Sequence, residues 1–178
     1  MNDSDLLDEL RARMEITDVL HLYCRAIDRV ELDLLADVYH PGAIDEHGVY
    51  NGDAEGFVES LKAALAGPTS RFRMMQHSIS NIMIERTGDS AKVQSHFRAY
   101  HRREDKSGKW DEALGGRYLD KFERRDGAWK IAHRVCVYDW SRIEPATEQR
   151  WWELFGMDDQ FHLGQRDRTD PLYGFLEG

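Results

Sequence analysis

No apolar run in the chain approaches the roughly 18 residues that a membrane span needs. The first residues carry no signal-peptide-like apolar stretch, so the expected location is the cytoplasm. Cysteine is scarce. Cys24 and Cys136 are the two present, far apart and outside any CxxC motif. They read as reduced core thiols rather than as a disulfide or a zinc set. A basic stripe is also missing. The net charge is −9, which excludes nucleic acid as an expected partner and mainly favours solubility. No GxGxxG opens a helix, and there is no phosphate loop, no HExxH and no GxSxG, so neither a nucleotide cofactor nor a metal is expected. Asp45-Glu46-His47 has the residue types of a metal set, but no second pair lies at a recognised spacing, and a loop is the better reading.

What is present is a chain of 178 residues, with 41% hydrophobic and 32% charged residues. That is the composition of one globular domain, spanning 1–178, large enough to bury a core. Five tryptophans are many for this length, and some must pack inside or at an interface.

Leu6, Leu7, Leu10, Met14, Val19, Leu20, Tyr23 and Ile27 recur at three- and four-residue steps, which predicts a helix over 4–28 with Ser4 as its cap. A short second helix follows over Leu32–Tyr39, a strand over Ala43–Tyr50, and a third helix over Ala54–Ala66 that Gly67-Pro68 stops. Four strands come next: Phe72–Glu85, Ala91–Arg103, Trp110–Arg124 and Ala128–Trp140. Short turns, among them Arg125-Asp126-Gly127, join them into an antiparallel meander. Residues 141–178 form a different, polar tail with a possible helix over Glu148–Leu154, expected to wrap over the body or a neighbouring subunit. Helices followed by a curved antiparallel sheet give an α+β fold.

This order resembles the NTF2-like superfamily, and within it the SnoaL-like branch, which is similar to scytalone dehydratase, the lindane dehydrochlorinase and the bile-acid 7α-dehydratase. Three segments carry the resemblance: Ile16–Leu20 through Tyr23 to Asp28, Met75–Asn81 around His77, and Tyr118–Ile131 with its Asp126-Gly127-Ala128-Trp129-Lys130-Ile131 hairpin. Asp167–Pro171 in the tail also looks like a frequent ending in that branch. The resemblance implies a cone with the N-terminal helices packed on the sheet. It also implies a pairing of Asp28 with His77.

His77 lies among Phe72, Met74, Met75, Ile79 and Ile82 and suits a general base, or else a partnered core histidine. Asp28 ends the first helix, where the macrodipole disfavours its charge and an imidazole N–H would relieve it; the other reading is an exposed carboxylate beside Arg29. Tyr23 could donate to an oxyanion, yet it stands roughly 140° around the helix from Asp28 and shares no simple face with it. His96, Arg98, Tyr100 and Arg102 alternate onto one strand face, which meets solvent or a partner, or lines a polar cavity. Arg134 falls where the resemblance implies a cation for a departing anion, or else forms a sheet-surface ion pair.

The expected protein is a cofactor-independent lyase acting on a small hydrophobic ring compound. Its catalytic residues would be His77, Asp28 and Tyr23, its substrate-binding residues Arg134 and Tyr100, and its assembly a homodimer or homotrimer. Two alternatives stay open: a non-catalytic β subunit of an aromatic-ring dioxygenase, and a ketosteroid-isomerase-like or cyclase enzyme.

Overall fold

A computed structural model describes residues 2–67, 69–147, 150–156 and 160–178. The first helix, α1, spans Asp3–Asp28, capped by Asn2 rather than Ser4, because the Asn2 side chain accepts from the Asp5 backbone N–H at 2.9 Å. Its stripe of Ala12, Ile16, Leu20, Tyr23 and Ile27 is buried, while Leu7 and Met14 at its outer edge stay exposed. Helix α2 is Leu32–Asp37, shorter than expected, since Tyr39 already belongs to the strand β1, Tyr39–Glu46. The short strand β2, Asn51–Asp53, turns back on β1, and α3 follows over Ala54–Leu65 with Asp53 as its cap. The expected stop of α3 is half visible: Gly67 turns with φ +80°, and Pro68 lies outside the described residues.

Four long strands complete the body: β3 Phe72–Thr87, β4 Ser90–Asp105, β5 Gly108–Arg125 and β6 Ala128–Pro145. They pair antiparallel in the order β3–β4–β5–β6. Strand β1 then joins β6 in parallel, giving one six-stranded sheet ordered β2-β1-β6-β5-β4-β3. Irregular pairing at Ser80/Met83, with Asn81 at φ +50°, and at Gly115/Gly116 bends these strands into an open, curved sheet. Gly116 is required there, because a Cβ would collide with the Val137 carbonyl. The helices cover one face of the sheet. Tyr118, Phe122, Trp129 and Ile131 close the core against them, so one of the five tryptophans is fully inside.

The tail begins later than expected, because β6 continues to Pro145, and it touches the body where Arg166 donates to the Phe72 carbonyl and Tyr173 to Glu31. The expected helix over Glu148–Leu154 is a 3-10 turn over Trp151–Phe155, with Glu148 outside the described residues. A last helix, α4, spans Pro171–Glu177, with Asp170 as its cap. No described helix is long and apolar enough to cross a membrane.

Candidate functional site

The end of α1 meets the middle of β3. On β3 the side chains alternate, so Met75, His77 and Ile79 face α1 while Gln76 and Ser78 face away. His77 Nδ1 lies 2.7 Å from Asp28 Oδ1, and the His77 backbone N–H donates to Asp28 Oδ2 at 2.9 Å. Both side chains are nearly buried, 8% exposed for His77 and 12% for Asp28. A carboxylate at a helix C-terminus thus finds two N–H donors, which offset the unfavourable end of the dipole. The pairing fixes the tautomer: Nδ1 carries the proton that Asp28 accepts, leaving the Nε2 lone pair without a partner among the described residues.

A hollow of about 310 Å³ opens beside the pair. His21, Cys24, Arg25, Arg29, Ile79 and the tail residue Leu172 line it with Asp28 and His77. Arg29 is held by Asp170 at 3.4 Å and by the Asp28 carbonyl. The tail is thereby tied to the site, since Asp170 opens the helix that carries Leu172.

Next to His77, on the same face, stands His101, the cross-strand neighbour of Met75. Its ring centre is 5.6 Å from that of His77, and its Nδ1 is 3.7 Å from Glu112. Its Nε2 is buried without a hydrogen-bond partner. Burial, and then the neighbouring His77, push the pKa of His101 down to about 4, so this ring is neutral at physiological pH. Alternation sets His101 on the face opposite Tyr100, and its register with Met75 is what places it beside His77.

Tyr23, Arg134 and Tyr100 do not join this pair. The 140° between Tyr23 and Asp28 is decisive: Tyr23 points into the interior, where its hydroxyl lies 3.3 Å from His47 Nε2. Arg134 is fully buried and bidentate with Asp120 at 2.7 and 2.8 Å, with its guanidinium 4.1 Å from the ring centres of both Tyr23 and Tyr118. It is an interior ion pair, neither a surface one nor a residue of the hollow. Tyr100 pairs in register with Gln76, on the opposite face of the sheet from His77, and donates to Asp111 at 2.6 Å.

Asp45 and His47, set aside in the sequence as a loop, form a second carboxylate–imidazole pair. His47 Nδ1 is 2.5 Å from Asp45 Oδ1, and Tyr39 donates to the other oxygen at 2.6 Å. Strand alternation over 45–47 was the available signal, because residues two apart share a face. Burial holds the Tyr23 and Tyr39 phenols well above their ordinary pKa, so both remain O–H donors to this interior network. The two cysteines are free thiols, with burial pushing Cys24 up to about 12 and Cys136 up to about 11. Among the described residues no group of three His, Cys, Asp or Glu is placed to hold a metal ion.

Solved structures share this architecture. Hexachlorocyclohexane dehydrochlorinase LinA-type3 from Novosphingobium barchaimii superposes with a TM-score of 0.69 at 20% identity, covering 81% of this chain and 97% of that one. A candidate scytalone dehydratase from Novosphingobium aromaticivorans gives 0.65 at 23% identity, covering 84% and 99%. The β subunit of a candidate aromatic-ring-hydroxylating dioxygenase from the same organism gives 0.61 at 19% identity, covering 75% and 93%. At these identities the likeness is one of fold. No curated protein sequence matches the chain significantly. Residues 8–135 match the SnoaL-like domain, and the chain belongs to that family of the NTF2-like superfamily.

Proposed function

We propose that the protein is a cofactor-independent lyase that removes a small group from a largely apolar ring compound, with His77 as the base. The observation that carries this reading is the Asp28–His77 pair at 2.7 Å on the wall of a ligand-sized hollow. His77 Nε2 takes a proton from the carbon next to the one bearing the leaving group. The C–H electrons become the new double bond, and the leaving group departs with its own pair as an anion. Asp28 steadies the imidazolium that forms. Arg29, on the same hollow and next in the chain to Asp28, is the cation assigned to the departing anion. Ile79, Leu172 and Cys24 supply the apolar wall.

Dehydration, dehydrohalogenation and retro-aldol cleavage use the same base, and an isomerisation would use it without expelling a group. Product mass separates them. The decisive test is turnover of ring alcohols, halides and ketones followed by mass spectrometry, comparing the wild type with His77→Gln. In this reading the protein assembles as a homodimer or homotrimer through the sheet's outer face, where Met83 and Leu119 are exposed; light scattering reports the number.

One observation favours a second reading. The interior between Tyr23, Tyr39, Tyr118 and Arg134 is filled by side chains, as in a subunit that only supports a partner. A β subunit of an aromatic-ring dioxygenase would copurify with a large iron-bearing chain and show no turnover alone.

A further inference from the structure

Arg166 is a half-buried cation that pairs with no carboxylate among the described residues. Arg134, fully buried, and Arg86 and Arg103, partly buried, each meet an acid: Asp120, Asp8 and Glu112. Arg166 meets instead the Phe72 carbonyl at 2.5 Å and the Met75 sulfur at 3.6 Å, and its Nε is buried with no partner. Burial lowers its pKa from the ordinary arginine value, opposed by the charge of Asp28 and reinforced by that of Arg73. A desolvated charge without a counter-ion is costly, and an anion that enters beside it removes that cost.

The space for such an anion exists. Arg166 lines a groove of about 1000 Å³ between the α1–α2 turn, the start of β3 and the tail. Arg168 stands on the same groove, its guanidinium 4.5 Å over the Tyr173 ring and without an acidic partner among the described residues. Leu32, Leu65 and Phe72 supply an apolar floor. The acids on the groove do not neutralise this pair. Glu31 accepts from Arg25 Nε and Nη2 at 2.9 and 3.0 Å, Asp167 accepts from Thr169, and Asp33 sits exposed. Arg25 and Arg29 line both this groove and the hollow that holds His77, so the two spaces adjoin.

We propose that this groove binds an amphipathic oxyanion, with Arg166 and Arg168 on the anionic head and the apolar floor beneath its body, and that it holds the far end of the substrate whose reactive carbon meets His77. The link to the substrate rests on the lyase reading; the preference for an anion stands apart from it. The tail is then a specificity element, since both cations belong to it.

The test is equilibrium binding of 2-naphthoate against its neutral isostere 2-naphthamide, with 2-naphthyl phosphate as a third probe. The wild type should prefer naphthoate by roughly tenfold or more, and Arg166→Gln and Arg168→Gln should each reduce that preference several-fold without weakening the amide. Tighter binding of the phosphate would mark the head group as a phosphate ester, and tighter binding of naphthoate as a carboxylate; both support the site. Arg166→Lys, which keeps the charge, should retain most of the preference. Arg168→Gln covers the case in which Arg166→Gln loosens the tail, since Arg168 is exposed and lies over Tyr173 within the tail itself. Equal binding of naphthoate and naphthamide, no binding of either, or a preference untouched by both glutamine variants would overturn the proposal. If elimination is never observed yet the anion preference persists, the lyase reading fails and the groove stands; if elimination occurs with no anion preference, the groove fails alone.

Discussion

One carboxylate holds His77 at two points: Asp28 Oδ1 takes the ring Nδ1 at 2.7 Å, and Oδ2 takes the backbone N–H of the same residue at 2.9 Å. The ring and the strand that carries it are therefore positioned by one side chain from another element. The consequences separate chemistry from stability.

Asp28→Asn keeps the shape but removes the charge and offers an amide that can reverse the tautomer of His77. Turnover should fall by about 10²- to 10⁴-fold. Asp28→Ala also strands the His77 backbone N–H, and should cost about 1–3 kcal/mol of stability in addition. Paired kinetic and urea-unfolding measurements on the two variants check this.

His101 gives the fold a pH term with a definite sign. Its folded pKa, about 4, lies below the ordinary value of 6.5. Between those two values the unfolded chain binds a proton that the folded chain refuses, so stability rises with pH across that window. The contribution is complete above about 6.5, declines as pH falls, and is gone below about 4, a loss of roughly 3 kcal/mol. His101→Gln should flatten the pH dependence of the unfolding midpoint across that range. An unchanged slope would show that the ring is not held neutral.

Arg134 should behave as a structural cation. Asp120→Asn leaves it buried and uncompensated and should destabilise the protein by about 3–5 kcal/mol. Replacing both partners by Leu and Met should recover much of that loss. Thermal unfolding of the single and double variants distinguishes this from a substrate-binding role, in which the double variant would refold well and lose only activity.

Leu172 is the tail's contribution to the hollow beside His77. Leu172→Ala should raise KM several-fold and leave kcat nearly unchanged, because it removes binding surface equally from ground and transition states. Steady-state kinetics on any identified substrate reads this directly.

Much of this was legible in the chain. The three- and four-residue steps of α1 and the Gly- and Asp-bearing turns mark the elements, and Asp28 with His77 follow from the segments that resemble the family. Four features were not. Alternation puts Tyr100 and His101 on opposite faces, and only register, through Gln76 and Met75, shows which of the two stands beside His77. Arg134 lies opposite Asp120 in the β5–β6 pairing, a partner fourteen residues away whose side chain meets it inside. Alternation can bring Asp45 and His47 to one face, but their place in the interior depends on β1 lying parallel to β6, a long-range pairing that the sequence does not mark. That Arg166 meets no carboxylate among the described residues depends on where the folded tail meets β3.

The central claim is that His77 removes a proton from carbon in the hollow it shares with Asp28. The most direct measurement is mass-spectrometric product formation from a ring substrate by the wild type and by a folded His77→Gln variant. The account predicts a product lighter by the expelled group from the wild type, and a loss of at least about 10²-fold in the variant. Full turnover by His77→Gln would contradict it.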